Sequence, residues 1–203
     1  MTRYGMVIDL NSCTGCRACA AACSLENRTP YWSEKFRTHV QDVTNGKFPE
    51  VSRFFVPRLC MQCDNAPCIS VCPTGASHRT AEGIVVVDAD KCMGCKYCIV
   101  ACPYQARFVY EAEDVKKARE VYGEGPRAAA VDKCTFCEQR VKEGREPACV
   151  ATCLAGARIF GDLDDPNSPV TKLVSGGQAK PLRADVGTKP KVYYLGNLPG
   201  KEA

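Results

Sequence analysis

The cysteines constrain this chain more than any other feature of its sequence. Sixteen of its 203 residues are cysteine, several times the usual frequency, and they form four quartets that each contain a C-x2-C pair. Any fold must therefore gather sixteen thiols into a few places. The quartets are Cys13, Cys16, Cys19 and Cys23; Cys60, Cys63, Cys68 and Cys72; Cys92, Cys95, Cys98 and Cys102; and Cys134, Cys137, Cys149 and Cys153.

Three chemistries use cysteines in such groups. Disulfides are disfavoured, because random pairing would not repeat one C-x2-C core four times and the chain shows no secretory context of its own. Zinc would suit the fourth quartet alone, since its CxxC…CxxxC spacing is typical of a zinc ribbon. The first and third quartets instead match the bacterial run that binds 4Fe–4S clusters, and Pro follows Cys72 and Cys102 as in that run. The sequence therefore predicts four 4Fe–4S clusters, with zinc at the fourth quartet as the alternative.

The remaining composition excludes several function classes. With cysteine counted, 45% of the residues are apolar, and without it the apolar fraction is thin for a self-sufficient core. The formal charge of +4 does not indicate a nucleic-acid partner, because four oxidised clusters would add about −8. No apolar run is long enough to cross a membrane, and no export signal is visible. No nucleophile–base pair, phosphate-binding glycine loop or open metal position indicates catalysis.

An internal repeat surrounds the quartets. A short β-prone run precedes each one (MVIDLNSC, RFFVPRLC, IVVVDADKC and AAAVDKC), and a turn with a second run follows three of them (CPTGASH, CPYQARFVY and CLAGARIFG). Ala-rich stretches such as RACAAACSLEN are expected to form short helices. Gly15 and Gly94 are expected to take positive φ in the C-x-G-C turns. Strand, cluster loop, helix and strand make half of a two-cluster ferredoxin module.

The order of the quartets along the chain is compatible with one particular pairing. In two-cluster ferredoxins the fourth Cys of each run ligates the other cluster. Only 19 residues separate Cys72 from Cys92, so the second and third quartets can close as one module. The first and fourth quartets then remain to pair around it. The spacing is compatible with this nested arrangement and does not require it.

Nearly the whole chain resembles a known family. The quartet spacings and the segments YGMVIDL, KCTFCEQRVKEGREPACVATC, GDLDDPNSPV and GTKPKVYYL are similar to those of the iron–sulfur electron-transfer (β) subunits of the dimethyl sulfoxide reductase, or molybdopterin oxidoreductase, family. The polysulfide, thiosulfate and arsenate reductase type is the most similar. Some relatives hold a three-iron cluster at the third quartet, whereas this chain keeps Cys95, and Ser24 and Leu154 stand where Pro is usual. The resemblance implies four sets of iron ligands, which are Cys13, Cys16, Cys19 and Cys153; Cys134, Cys137, Cys149 and Cys23; Cys92, Cys95, Cys98 and Cys72; and Cys60, Cys63, Cys68 and Cys102.

The expected fold class is α+β, with two nested ferredoxin-like modules, loop insertions and an extended C-terminal tail. The expected boundaries are 1–27 plus 127–163 for the outer module, 51–110 for the inner module, 28–50 and 111–126 for connecting insertions, and 164–203 for a C-terminal docking tail.

The function that the resemblance implies is electron transfer within a respiratory oxidoreductase of anaerobic metabolism. Electrons would pass between a large molybdopterin (Mo or W) catalytic subunit and an integral membrane, quinone-reactive subunit. The chain would lie at the cytoplasmic membrane, on the periplasmic face through co-export with its partner, with the cytoplasmic face as the alternative. The resemblance places the outer module against the catalytic subunit and the Cys60, Cys63, Cys68 and Cys102 cluster at the far end. A free soluble polyferredoxin is the alternative function, and a cluster-based regulator is a third.

Residues outside the quartets support weaker predictions. His39 and His78 are expected to have ordinary surface or packing roles, because sixteen cysteines already complete four sites. Tyr97 and Phe136 lie between ligands and are expected to pack, which keeps water away from the clusters.

Charged and cysteine-free parts leave two alternatives open. Arg17, Lys91 and Lys96 lie near ligands, where they either favour the reduced clusters or are solvated. Residues 24–59, with Tyr31, Trp32 and Phe36, and residues 162–203, with five Pro, either cover the modules or dock partners.

Overall fold

The computed structural model describes residues 2–198, and its largest sheet is built from both ends of the chain. β1 (Tyr4–Asp9), β6 (Arg158–Asp162), β7 (Ala179–Pro181) and β8 (Val192–Leu195) form this sheet in the order β6-β1-β8-β7. β1 pairs antiparallel with β6 and parallel with β8, while β7 pairs antiparallel with β8. The first strand is therefore joined directly to residues that follow the last cysteine.

The centre of β1 is apolar because it is covered on both faces. Met6, Val7 and Ile8 are each fully buried, as expected for a central strand between two layers. Met6 and Ile8 belong to the main core, which also contains most of the buried cysteines, whereas Val7 packs in a smaller cluster with Leu163 and Val170. The thiols therefore lie largely on one side of this sheet.

A long hairpin contains much of the cysteine-free N-terminal segment. β2 (Thr38–Lys47) and β3 (Glu50–Leu59) pair antiparallel over their full length. Val56 near the base is fully buried, whereas Phe48 at the tip is 92% exposed. The predicted strand in RFFVPRLC is confirmed, and its partner strand was not predicted. The base of the hairpin leads directly into Cys60.

A second, short hairpin follows the second quartet. β4 (Ser77–Arg79) and β5 (Val85–Val87) pair antiparallel, as predicted for the runs around Cys72 and Cys92. The corresponding runs CPYQARFVY and AAAVDKC form only a single bridge, Phe108 opposite Asp132, so the prediction of strands there is wrong. Ala129 has a φ of 64°, a left-handed conformation that turns the backbone and prevents a longer ladder.

The helices are short, and four of them carry the third cysteine of a quartet. α1, α2, α3 and α6 hold Cys19, Cys68, Cys98 and Cys149 in turn, and α1 confirms the helix predicted in RACAAACSLEN. No helix within residues 2–198 is long and apolar enough to span a bilayer. The helices are α1 (Ala18–Glu26), α2 (Pro67–Ser70), α3 (Tyr97–Val100), α4 (Ala112–Tyr122), α5 (Glu138–Lys142), α6 (Ala148–Ala151) and α7 (Pro169–Ser175).

The C-terminal segment is packed, which corrects the prediction of an extended tail. α7, β7 and β8 all lie within residues 164–198, and Val192 and Tyr194 of β8 are buried. The Tyr194 hydroxyl donates to the Pro57 carbonyl at 2.8 Å. Alternating apolar residues therefore hold this segment in the sheet instead of leaving it free. Residues 199–203 of the predicted tail, like Met1, lie outside the described residues, and docking by this segment stays a prediction.

Candidate metal centres

Twelve of the sixteen cysteines line three cavities. Each cavity is lined by three cysteines of one quartet and the last cysteine of another, and all sixteen are free thiols. We call them the Cys13, Cys60 and Cys92 sites. Their cysteines are Cys13, Cys16, Cys19 and Cys153; Cys60, Cys63, Cys68 and Cys102; and Cys92, Cys95, Cys98 and Cys72.

The other four cysteines form a fourth group, the Cys134 site. Cys23, Cys134, Cys137 and Cys149 are all buried. Burial raises the pKa of the Cys23 thiol well above its usual value, and Cys134, Cys149 and Cys137 raise it further. Burial is also the main cause that raises the pKa of Cys134 to about 12 and that of Cys149 to about 11. Binding iron here must therefore displace protons from the thiols.

Tight loops bring the thiols of each compact quartet together. Gly15 and Gly94 take positive φ of 72° and 75°, as predicted for the C-x-G-C turns. A Cβ at Gly15 would lie 2.5 Å from the Phe55 ring, and one at Gly94 would lie 2.8 Å from the Ala129 carbonyl. Both turns therefore require glycine for conformation and for space.

Backbone N–H groups near these loops point toward sulfur. Ser77 N–H donates to Cys72 Sγ at 3.3 Å, and Phe136 N–H donates to Cys134 Sγ at 3.4 Å. Such bonds stabilise negative charge on the sulfur. The loops thus supply polar stabilisation as well as ligand spacing.

The exposure of the thiols and the proximity of neighbouring sites together give the order of the four sites. Cys16 and Cys95 are the exposed cysteines, whereas every cysteine of the Cys134 site is buried, as are Cys60 and Cys63. Cys60 is close enough to Cys134 to raise its pKa. The order is therefore the Cys13, Cys134, Cys60 and Cys92 sites.

This order corrects one prediction about the ends of the line. We expected the Cys60, Cys63, Cys68 and Cys102 cluster at the far end. The structure places that site in the interior, because it adjoins the Cys134 site. The Cys92 site, with its exposed Cys95, is the terminal one.

Two buried arginines contact the thiols. Arg158 is 3% exposed and donates to Cys19 Sγ at 3.4 Å and to Cys149 Sγ at 3.6 Å. Arg107 is also 3% exposed and donates to Cys68 Sγ at 2.9 Å. Burial lowers the pKa of Arg158, but Cys149 and Cys19 more than offset this and hold it above its usual range. Both guanidinium groups therefore stay charged beside sulfur.

These arginines were missed by the sequence analysis, which considered other cations. Arg17, Lys91 and Lys96 are exposed in the structure, which favours the interpretation that they are solvated. The signal was present in the repeat, since CPYQAR and CLAGAR both place Ala-Arg four and five residues after the last cysteine.

The side chains of the other predicted residues have varied surroundings. His39 is exposed, and the His78 ring nitrogen lies 3.1 Å from the Ala76 carbonyl oxygen. Phe136 is 1% exposed and packs edge-on against Phe160 at 5.4 Å, as predicted for a packing role. Tyr97 is instead 65% exposed, so packing is wrong for that ring.

The aromatic residues of the 24–59 segment pack locally. Trp32 stacks on Tyr122 of α4 at 6.4 Å and meets Tyr31 edge-on at 4.8 Å. Phe36 is half-buried, while Tyr31 remains 57% exposed. This segment therefore covers its own chain, and the exposed Tyr31 leaves docking as a prediction.

The donor sets fit iron–sulfur clusters. Soft thiolates are the ligands that such clusters use, and each site offers four. No group of His, Cys, Asp or Glu within residues 2–198 is spaced to hold a single metal ion; the thiols instead surround the wider cavities described above. The buried arginines beside them also favour an anionic occupant.

Comparisons with known proteins agree with this chemistry. Two matches to the family described as "4Fe-4S dicluster domain" cover residues 51–163 and 12–76, which supports four 4Fe–4S clusters. The B subunit of tetrathionate reductase from Salmonella typhimurium is 41% identical over 96% of this chain and 72% of its own length. The B chain of polysulfide reductase from Wolinella succinogenes is 40% identical over 98% of this chain and 96% of its own length.

A further relative extends the range of reductases. The arsenate respiratory reductase iron–sulfur subunit of a Shewanella species is 37% identical, and the alignment covers 99% of both proteins. These relatives confirm the resemblance to the polysulfide and arsenate reductase type. The protein belongs to the iron–sulfur electron-transfer B subunits of the dimethyl sulfoxide reductase, or molybdopterin oxidoreductase, family.

Proposed function

We propose that this chain connects a large molybdopterin (Mo or W) catalytic subunit to an integral membrane, quinone-reactive subunit. Four 4Fe–4S clusters supply one-electron transfer. The protein's own residues bind them, separate them and exclude water from the two interior sites. The relatives are named as B subunits or B chains of reductases, which supports assembly with a catalytic partner.

The observation that carries the proposal is the linear order of the thiol sites. Exposed thiols lie at two separate ends, Cys16 at one and Cys95 at the other, with two buried sites between them. A free carrier needs only one exposed site, because it exchanges electrons at one surface. Two exposed ends suit a chain held between two partners.

Apolar side chains surround one of these ends. Met93, Tyr97 and Val100 are 68%, 65% and 85% exposed, and all lie within the third quartet next to Cys95. At the opposite end, Leu154 is 92% exposed and follows Cys153. A contiguous exposed apolar patch is typical of an interaction surface, so the Cys95 end is proposed as a docking surface, with Leu154 as a contact residue at the other end.

The nested modules and the ligand sets belong to the same proposal. Residues 1–27 with 127–163 form the outer module, and residues 51–110 form the inner one. Pairing of β1 with β6 supports the outer module. The four thiol groupings support exchange of the last cysteine between the first and fourth quartets and between the second and third.

The end assignment follows from the family resemblance and the site order. The Cys13 site would face the catalytic subunit, and the Cys92 site would face the membrane subunit. The complex would lie at the cytoplasmic membrane, with the periplasmic face, reached by co-export, as the proposed side.

The test is Cys95→Ser in the purified complex. We expect quinone-coupled turnover to be lost while a small dye still exchanges electrons with the catalytic side. Cys16→Ser should instead isolate the catalytic subunit from the quinone pool and from the clusters beyond the Cys13 site. Val121→Ser, an exposed change on α4, is the control for surface substitution.

Two results would refute this proposal. One is elution of the wild-type chain alone, which would indicate a free polyferredoxin. The other is full quinone-coupled turnover in a Cys95→Ser complex whose EPR spectrum shows that the Cys92-site cluster is altered or missing.

A further inference from the structure

Three buried cations of this chain have no carboxylate partner. Arg107, Lys133 and Arg158 are 3%, 1% and 3% exposed, and none forms an ion pair within 4.0 Å with a carboxylate of residues 2–198. By contrast, the buried Lys191 lies 3.7 Å from Asp64. Burying an unpaired cation is costly, so these three require some other source of negative charge.

Arg158 lies between the two outer sites. It donates to Cys19 of the Cys13 site and to Cys149 of the Cys134 site, and it also donates to Thr38 Oγ1 at 2.8 Å and to Met6 Sδ at 3.9 Å. One guanidinium group thus donates to sulfurs of two different sites.

Arg107 lies between the two inner sites in the same manner. It donates to Cys68 of the Cys60 site and to Ser77 Oγ at 2.8 Å, and it also interacts with Cys98 of the Cys92 site. Arg107 and Arg158 both stand five residues after the last cysteine of their quartet. The repeat therefore produces one bridging arginine per module.

Lys133 lies between the Cys134 site and the Cys60 site. Its Nζ donates to the Cys134 carbonyl at 2.7 Å and to the Val85 carbonyl, and its charge reaches Cys68 of the Cys60 site. It therefore lies where the outer and inner modules meet. Four sites in a line have three gaps, and each gap contains one buried cation.

We propose that each of the three buried cations, Arg158, Lys133 and Arg107, raises the reduction potentials of the two clusters on either side of its gap. Positive charge and hydrogen bonds to sulfur stabilise a reduced, more negative cluster. Because each cation is shared, it favours the reduced state of the clusters on both sides of its gap. This inference rests on the proposed function, since it assumes the four ligand sets given above.

The sequence offers a matched control. Lys91 precedes Cys92 as Lys133 precedes Cys134, both within a D-K-C sequence. The Lys91 side chain is 64% exposed and pairs with Asp88 at 3.2 Å. Lys91→Met thus removes the same charge at the equivalent repeat position, but in solvent.

The experiment is an EPR-monitored redox titration of the full chain, loaded with clusters and assembled with its partners. For Arg158→Gln, we expect the reduced-to-oxidised ratio at a fixed potential to fall about tenfold at the Cys13 and Cys134 clusters. For a one-electron centre this is a shift of about 59 mV to lower potential. Arg107→Gln should move the Cys60 and Cys92 clusters instead, and Lys133→Met should move the Cys134 and Cys60 clusters. Lys91→Met should leave all four near their wild-type values.

Each outcome of the redox titration supports or overturns the inference. Unchanged midpoints in variants with full iron content, or equal shifts of all four clusters, would overturn the inference, because a shared cation must act on its own two neighbours. If Arg158→Gln loses iron, the midpoints of the Lys133→Met variant test the inference instead. The Lys133 Nζ donates to the Val85 and Cys134 carbonyls, so its removal leaves the hydrogen bonds from Arg158 and Arg107 to sulfur in place. A wild-type chain with fewer than four reducible clusters would refute the proposed function, whereas four clusters with unchanged midpoints would refute this inference alone.

Discussion

Gln62→Met tests how the proposed inner and outer modules are held together. Gln62 is fully buried, its Nε2 donates to the Cys134 carbonyl at 2.9 Å and to the Val85 carbonyl at 3.3 Å, and its Oε1 accepts from Val85 N–H at 2.7 Å. Bonds of the β4–β5 hairpin form at Thr80 and Asp88, so the alternating pattern leaves the Val85 backbone groups pointing away from β4. Gln62 acts as their partner and ties the inner hairpin to the outer module.

The cost of Gln62→Met can be worked out from these contacts. Methionine fills a similar volume, so the loss of packing is small. The Val85 N–H loses its acceptor, and a buried unsatisfied donor costs about 1–3 kcal/mol. The Val85 and Cys134 carbonyls keep Lys133 Nζ as a donor, so losing the Gln62 donor to them adds little to the loss of stability. We expect the free energy of unfolding to fall by about 2 kcal/mol. This corresponds to about a 30-fold change in the unfolding equilibrium constant, at about 1.4 kcal/mol per tenfold.

A double variant sharpens this expectation. Gln62 and Lys133 donate to the same two carbonyls, those of Val85 and Cys134. Removing either donor leaves the other, but Gln62→Met with Lys133→Met leaves both carbonyls without a side-chain donor. The double variant should therefore be less stable than the sum of the single changes by about 1–3 kcal/mol.

The assay is the loss of visible iron–sulfur absorbance in a fixed concentration of denaturant under anaerobic conditions. Gln62→Met should bleach markedly faster than wild type. Gln41→Met, on an exposed position of β2, should bleach at the wild-type rate. Equal rates for Gln62→Met and Gln41→Met at equal iron content, or strict additivity in the double variant, would refute the reasoning.

Three other predictions concern stoichiometry, ligand exchange and a buried ion pair. Iron analysis of anaerobically prepared protein should give about sixteen irons per chain, with chelators attacking the sites of the exposed Cys16 and Cys95 first; about twelve irons plus one zinc would show that one quartet was misassigned. Cys23→Ser should disturb the EPR signal of the Cys134 site more than that of the Cys13 site, and the reverse pattern would disprove ligand exchange. Arg37→Met should destabilise the protein by about 3–5 kcal/mol, because it strands the carboxylate of Asp132, whose ion pair with Arg37 is nearly buried at 2.9 Å. The exposed Arg53, paired with Asp42, is the control, and Arg53→Met should cost less than about 1 kcal/mol; equal losses in denaturant midpoint would contradict this.

Local sequence signals predicted much of the fold. The C-x-G-C turns at Gly15 and Gly94, the Ala-rich α1 and the strands beside the first two quartets depend on residues close in sequence, and they were found. The hairpin partner strand β2 was not predicted, because most of its residues are exposed and its pairing depends on β3 through the turn. The failed strands near Phe108 and Asp132 have β-prone residues, but the left-handed Ala129 ends their pairing after one bridge.

The candidate site was predicted to a similar depth. The cysteine spacings and the family resemblance together predicted four ligand groups, and twelve of these cysteines line three cavities in the predicted combinations, while their role as iron ligands stays a prediction. The order of the groups was only partly predicted, because spacing within a quartet says nothing about which surfaces of two modules meet. Cys60 was therefore placed at an end, whereas its neighbour in space is Cys134. The contact between modules depends on long-range packing around buried residues such as Gln62.

The buried cations connect cofactor content to folding in both directions. Two clusters of charge about −2 within one module repel each other, and a guanidinium group between them replaces part of that repulsion with attraction. Conversely, Arg107 and Arg158 are buried without carboxylates, a cost that anions at the neighbouring thiols would offset. The thin apolar core indicates that something bound by the cysteines supplies cohesion, and the proposed clusters would also place negative charge beside the buried Arg107 and Arg158.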